Sequence, residues 1–246
     1  MPTIYLSPST QEFNQYSGGG NEELYMNLLA DAMEPYLAAS GIQFVRNNPE
    51  GTAATAIAQS NAGNYDLHLA LHSNATASGS GNVRGIDAYY YPSSAAGKRF
   101  ADILVNNFKM IYPLPDNVKA VPTTSLGEVA RVRAPGVLIE IGYHDNVQDA
   151  QWIRDNINLI ARTLVMSLTE YFGIPFNMPQ PIRVGYVATN GGNLNVRTRP
   201  SLDAFVVGRI PNGSEVTVYA TLPGWYLVQY NGIVGYASSQ FIQLAS

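Results

Sequence analysis

Two histidines in one apolar run could carry hydrolytic chemistry. His68 and His72 lie in DLHLALHSNA, and because they are an even number of residues apart, a strand places both side chains on one face. His68 sits among apolar residues and is either a core histidine or a site residue. His72 comes at the end of the run, before a Gly/Ser-rich loop, where open α/β sheets bind ligands. It is therefore either structural or a metal ligand.

A glutamate inside another apolar run is the second candidate. Glu140 lies in VLIEIG, where burial would raise its pKa through desolvation, and such a pKa suits a general acid or base near neutral pH. The alternative is a glutamate turned outward on an edge strand. His144 follows four residues later.

Carboxylates also stand at the start of a predicted amphipathic helix. Asn21 can cap this helix, and Glu22 and Glu23 favour its first turn through the helix dipole, or one of them ligates a metal. The preceding Gly18–Gly20 is not part of a phosphate-binding loop, because the Lys-Ser/Thr ending is missing. A helix-start glutamate, a strand-end histidine and a buried glutamate are together components of a hydrolytic zinc site.

The elements that must position these residues fall into two groups. Up to residue 175, strand-like and helix-like runs alternate, which predicts an α/β fold with a mostly parallel sheet covered by helices on both faces. The predicted strands are Thr3–Leu6, Phe44–Arg46, Leu67–Leu71, Asp87–Tyr91 and Val137–Ile141, and the predicted helices are Glu22–Ala39, Ala95–Ile111, Asp149–Asp155 and Ile157–Tyr171. From residue 183, short strand-like runs between Gly- and Pro-containing turns predict a small all-β barrel.

A Pro-rich stretch, IPFNMPQP, separates the two groups and is typical of an extended linker. We therefore expect a catalytic domain at 1–175, a linker at 176–182 and a small β domain at 183–246. The first part carries 10 Lys/Arg and 16 Asp/Glu, and residues 176–246 carry four Arg and two acidic residues.

Composition excludes several classes of protein. The chain of 246 residues has no Cys, which excludes thiol nucleophiles, thiolate metal sites and disulfide scaffolds. Its net charge of -4, without a run of Lys or Arg, argues against a nucleic-acid partner. No stretch approaches the roughly 20 apolar residues of a membrane helix, and the opening MPTIYLSPSTQE lacks the features of a signal peptide. We expect no membrane span and no signal peptide in this chain.

Several ordered motifs resemble the type 3 family of zinc-dependent N-acetylmuramoyl-L-alanine amidases over about residues 2–174. They are IYLSP at the first strand, Glu23 four residues before Asn27-Leu28, Val45-Arg46, LHSNA around His72, GIDAYYY at 85–91, and VLIEIGY at 137–143 followed by Asn146. The resemblance implies that Glu23 and His72 are zinc ligands and that Glu140 is the catalytic carboxylate. It also implies hydrolysis of the amide bond between N-acetylmuramic acid and the L-alanine of the peptidoglycan stem peptide.

The chain departs from that family after the first strand, where the family has a histidine within Asp-Pro-Gly-His-Gly-Gly and this chain has SPSTQE. Thr10 or Gln11 falls at the ligand position, depending on a one-residue shift. An oxygen of Gln11 or Glu12 could coordinate zinc. His144 is another candidate for the third ligand, and its alternative is a surface loop residue.

The tail resembles a bacterial SH3 domain over about residues 183–244, through LNVRTRPS, GWYLV and GYA. This resemblance implies binding to the cell wall. Trp225 and Tyr226 could form a stacking surface, or Trp225 could close the core of the barrel.

The leading interpretation is therefore a Zn²⁺-dependent peptidoglycan amidase that acts outside the cell, at the bacterial wall, and is held there by its tail. Two alternatives stay open. One is a zinc peptidase that acts on soluble peptides, and the other is a wall-binding protein with a degenerate metal site.

Overall fold

A computed structural model describes residues 1–77 and 79–245 of the chain. It divides the chain into two compact units. One consists of Pro2–Glu34 and Phe44–Gly173, and the other of Met1, Pro35–Gln43 and the residues from Ile174 onward. Residues 174–182 lie in neither helix nor strand, in agreement with their proline content. The division into 1–175, 176–182 and 183–246 stays a prediction.

The first unit is built on a six-stranded sheet. Its strands are β1 (Thr3–Pro8), β2 (Gln43–Arg46), β3 (Leu67–Asn74), β4 (Ile86–Tyr90), β5 (Val118–Pro122) and β6 (Gly136–Tyr143), in the order β2-β1-β3-β6-β4-β5. β1, β3 and β6 run parallel, β4 is antiparallel to β6, and β5 is parallel to β4. The predicted α/β fold with a mostly parallel sheet is confirmed, with β4 and β6 as an antiparallel pair.

Helices flank this sheet. They are α1 (Glu22–Ser40), α2 (Ala53–Ala62), α3 (Ala95–Lys109), α4 (Gly127–Ala130), α5 (Val147–Asp155) and α6 (Ile157–Phe172), with a 3₁₀ turn at Pro115–Asn117. α6 ends at Gly173, whose φ of 64° is left-handed, as expected for a glycine that terminates a helix. No helix within the described ranges is long and apolar enough to cross a membrane.

The buried face of α1 determines which of its first residues points inward. Met26, Leu29, Met33 and Leu37 are fully buried and recur at helical spacing. Glu22 lies four residues before Met26 and therefore continues the same face, in agreement with its burial.

The ends of β3 and β6 place two candidate residues side by side. His72 is paired with Glu140 in the parallel register, so both side chains leave the same face of the sheet. The register shifts directly afterwards, and Gly142 in this bulge has a φ of 73°. A Cβ at Gly142 would lie 3.2 Å from Cβ of Asp149, so both the backbone angle and the close approach favour glycine there.

The tail forms a separate seven-stranded sheet in which every neighbouring pair of strands is antiparallel. The strands are β7 (Arg183–Val187), β8 (Leu194–Arg197), β9 (Val206–Ile210), β10 (Glu215–Leu222), β11 (Trp225–Tyr230), β12 (Ile233–Ser238) and β13 (Ile242–Leu244), with a 3₁₀ turn at Ser239–Phe241. Alternate side chains such as Val196, Val218 and Val228 form its core. The prediction of a small all-β tail is confirmed.

Candidate active site

His72 lies at the centre of a buried group of carboxylates. Its Nδ1 donates to Oε1 of Glu22 at 2.9 Å, and its Nε2 donates to Oε2 of Glu128 at 3.2 Å. Burial by itself lowers the pKa of His72, but the hydrogen bonds to Glu128 and Glu22 and the charge of Glu140 outweigh it and raise the pKa to about 10. Without a metal, His72 is therefore a cation held between carboxylates.

Glu22, and not Glu23, is the helix-start glutamate that faces His72. Glu22 is 1% exposed, and its carboxylate also accepts a hydrogen bond from Nδ2 of Asn14 at 2.6 Å. Burial raises the pKa of Glu22, but the hydrogen bond and charge of His72 outweigh this effect and leave that pKa below its ordinary value.

Glu23 was expected to ligate zinc together with His72, but the structure places its side chain elsewhere. The Glu23 side chain accepts a hydrogen bond from Nδ2 of Asn27 at 3.0 Å, on the neighbouring turn of α1. Successive residues of a helix point about 100° apart, so only one of the two glutamates can lie on the buried face. Periodicity of the apolar residues of α1 could have identified Glu22 from the sequence, whereas the spacing to Asn27 favoured Glu23.

Glu140 is half-buried beside His72, and its Oε2 is a fully buried atom without a hydrogen-bond partner in the described part of the chain. Among the described residues, its Oε2 is one of few buried side-chain atoms that make no hydrogen bond. Burial raises the pKa of Glu140 to about 7, opposed by the positive charge of His72 and assisted by the negative charge of Glu22. The alternative of an outward-facing glutamate on an edge strand is wrong, since β6 is a central strand.

In the loop after β1, Gln11 lies within hydrogen-bonding distance of His72. Its Nε2 is 3.3 Å from Nδ1 of His72, and its Oε1 accepts a hydrogen bond from Asn14 at 3.1 Å. Glu12 is exposed to solvent. Thr10 lines a cavity of about 380 Å³ that opens beside His72 and Gln11.

His144 is buried, so its assignment to the surface of a loop is wrong. It is 4% exposed, and its ring stacks on Tyr16 at 5.6 Å. Its Nδ1 donates to the backbone oxygen of Ser73 at 2.8 Å and lies 3.9 Å from Oε2 of Glu22. His144 therefore borders the site, with the ring nitrogen nearest Glu22 already used in a hydrogen bond.

Glu128 is the site residue that sequence analysis did not identify. It lies on α4, is almost completely buried, and its Oε1 is 3.2 Å from Nε2 of His68. Burial raises the pKa of Glu128, but the hydrogen bonds of His68 and His72 outweigh it and lower the pKa to about 2. His68 is a core histidine, as one of the two sequence interpretations held, and it connects to His72 through this carboxylate.

The donor groups here can be compared with what zinc requires. Within residues 1–77 and 79–245, no group of three or more His, Asp and Glu side chains is arranged to hold a metal ion. Glu22 and His72 nevertheless offer a carboxylate oxygen and a ring nitrogen in direct contact, and the amide of Gln11 adjoins them. Glu22, Glu128 and Glu140 surround one imidazole, so the group has a surplus of negative charge. One carboxylate and one imidazole in contact suit a divalent cation, and the Gln11 amide would add a neutral oxygen if it turned its Oε1 in place of its Nε2 toward His72.

Two family models match the chain. One, described as N-acetylmuramoyl-L-alanine amidase, matches residues 10–170, a range that contains Glu22, His72, Glu128 and Glu140. The other, described as bacterial SH3 domain, matches residues 192–243 in the tail. Comparison with curated proteins gives no match.

Solved structures share the fold of the first unit. AmiC2, an N-acetylmuramoyl-L-alanine amidase of Nostoc punctiforme, is 17% identical with a TM-score of 0.61, and the match covers 70% of this chain and 97% of that one. The catalytic domain of the CD27L endolysin targeting Clostridia difficile is 19% identical with a TM-score of 0.58, covering 69% and 98%. Ami1 from Mycobacterium smegmatis is 14% identical with a TM-score of 0.59, covering 70% and 97%. At these identities, the similarity shows a common fold.

Proposed function

The chain belongs to the N-acetylmuramoyl-L-alanine amidase family, and from this premise we propose that its amidase activity resides at Glu22, His72 and Glu140 and depends on zinc. The activity hydrolyses the amide bond between N-acetylmuramic acid and the L-alanine of the peptidoglycan stem peptide. The observation that carries the site assignment is the buried, unpartnered Oε2 of Glu140 beside the pair formed by His72 and Glu22.

Glu22 and His72 would hold the metal. The Gln11 amide, whose Nε2 faces His72 in this structure, would supply a neutral third ligand through its oxygen once the amide group turns over. Bound zinc would supply Lewis-acid chemistry, that is, polarisation of the amide carbonyl and acidification of a water molecule. Asn14 orients both Gln11 and Glu22, because its amide donates to an oxygen of each.

Glu140 moves the proton. A carboxylate with a pKa near neutrality can accept a proton from the attacking water and release it to the leaving amine. As the bond between carbonyl carbon and nitrogen breaks, the amine nitrogen of L-alanine takes that proton. The products are a lactyl carboxylate on the glycan and a stem peptide with a free amino group. The cavity beside His72, rimmed by the exposed Phe13, gives the substrate access from solvent.

Digestion of purified peptidoglycan tests this function. We expect the zinc-loaded protein to release peptides that begin with a free L-alanine and to leave glycan strands without stem peptides. New amino termini at other positions would indicate a zinc peptidase instead. Binding to walls without zinc uptake and without products would indicate a wall-binding protein with a degenerate metal site.

We further propose that the tail holds the enzyme on the wall outside the cell. A cavity of about 330 Å³ in the tail is lined by side chains that include Asn193, Arg197, Leu202, Trp225 and Phe241. Trp225 also packs against the core cluster of Ala220, Leu227 and Tyr236. Both roles considered for Trp225 are therefore compatible with its position.

Leu202→Ser in the full chain is expected to weaken binding to purified walls roughly tenfold, about 1.4 kcal/mol, because the side chain lines this cavity and is 74% exposed. Phe205→Ser is the matched control, since Phe205 is equally exposed but does not line the cavity. Co-sedimentation with walls measures both. Equal loss in the two variants, or none in either, would contradict this location of the wall-binding surface.

A further inference from the structure

Glu128 connects two histidines that lie four residues apart on β3. Its Oε2 accepts from Nε2 of His72 and its Oε1 accepts from Nε2 of His68, each at 3.2 Å. The hydroxyl of Ser7 on β1 donates to the same Oε1. Three donors from two strands thus fix one carboxylate that comes from a helix of only four residues.

His68 is fixed in turn on its far side. Its Nδ1 is 2.9 Å from Oγ of Ser60, a buried residue of α2, and its ring stacks on Tyr5 at 5.3 Å. A continuous series of hydrogen bonds therefore runs from Ser60 through His68, Glu128 and His72 to Glu22. The series ends at the two residues to which we assign the metal.

This arrangement has a chemical consequence for His72. A neutral imidazole carries one proton, which can reside on either ring nitrogen. In the metal-free chain Nδ1 also carries a proton, which it donates to Glu22, and zinc has to replace that proton. Because Glu128 accepts at Nε2, the remaining proton is held there, and the lone pair of Nδ1 is then directed to the metal beside Glu22 and Gln11. A carboxylate behind a metal-binding histidine fixes its tautomer and ring orientation and raises its basicity as a ligand.

We propose that Glu128 is a positioning residue that prepares Nδ1 of His72 for zinc, and that His68 and Ser7 hold Glu128 in place. This inference rests on the proposed function, because it assigns Glu128 a purpose only if His72 binds the metal. Glu128 lines the same cavity as Gln11 and His72, and in this proposal it acts on the metal through its hydrogen bond to His72.

Glu128→Gln tests the proposal in the full chain. The substitution preserves shape but removes a charge and replaces one acceptor with a donor. We expect zinc affinity, measured by competition with a chromophoric chelator, to fall about 10- to 100-fold. Nitrogen-15 NMR of the zinc-loaded proteins is expected to show His72 protonated at Nε2 in the wild type and a mixture of ring forms in the variant. Glu170→Gln is the control, because Glu170 is hydrogen-bonded to Asn107 at the surface.

Ser7→Ala is a second variant that keeps Glu128 and removes one of its donors. It is expected to lower zinc affinity several-fold and to cause the same change in the NMR spectrum. If Glu128→Gln does not fold, this variant provides the test of the proposal. Wild-type zinc affinity in folded Glu128→Gln or, failing that, in Ser7→Ala would overturn the positioning role alone. Failure of the wild type to bind zinc would overturn the metal assignment under the proposed function.

Discussion

Glu140→Gln is expected to lower the rate of peptidoglycan hydrolysis by at least roughly 10²-fold, while zinc binding is retained. Glutamine has nearly the same size but cannot accept the proton of the attacking water. The measurement is release of amino-terminal L-alanine from purified walls, together with a zinc titration. Glu170→Gln is the control, because it makes the same chemical change at a residue that is hydrogen-bonded to Asn107 at the surface. Near-wild-type hydrolysis by Glu140→Gln would remove Glu140 from the mechanism.

The same substitution should change how the stability of the metal-free protein depends on pH. The pKa of Glu140 is raised by burial from 4.5 to about 7 in the folded chain. A raised carboxyl pKa contributes stability that is fully present below the unfolded pKa and is lost as the pH rises through the folded pKa. Relative to wild type, the free energy of unfolding of Glu140→Gln should therefore gain roughly 2 kcal/mol between about pH 5 and about pH 8. Urea unfolding measures this free energy for both proteins as a function of pH. Parallel profiles for wild type and Glu140→Gln would contradict the raised pKa.

Most of the fold could be predicted because the long elements carry their own periodicity. α6 has apolar residues at helical spacing and a terminal glycine, and β3 and β6 are continuous apolar runs. α2 and α4 were not predicted, for different reasons. α2 is rich in alanine and has a weak apolar pattern, and α4 has four residues, too few for any periodicity to appear.

The candidate site was predictable to the extent that its residues lie on such elements. His72 and Glu140 lie in the second halves of recognisable strands, and the sheet register brings them together. Glu128 has no local pattern, because its importance comes from partners 56 and 60 residues away in the sequence. His144 was ambiguous for the same reason, since its burial depends on Tyr16 and Ser73.

Substitution of Glu22 and substitution of Glu23 should have very different effects on zinc affinity. Glu22→Gln is expected to weaken zinc binding by roughly 10²-fold or more, because it removes the charged oxygen that contacts Nδ1 of His72. Glu23→Gln should leave zinc affinity within about twofold, since Glu23 is hydrogen-bonded to Asn27 on another face of α1.

These adjacent, chemically identical substitutions control for each other, because each removes one carboxylate from the first turn of the same helix and thus has a similar effect on the helix dipole. Chelator competition at fixed pH gives both affinities, and circular dichroism confirms that both variants are folded. Loss of zinc only in Glu23→Gln would restore the assignment based on the spacing to Asn27 and would mean that α1 is rotated by about one residue, roughly 100°, from the position described. Equal loss in both would mean that the charge of the helix start, and not direct coordination by Glu22, attracts the ion.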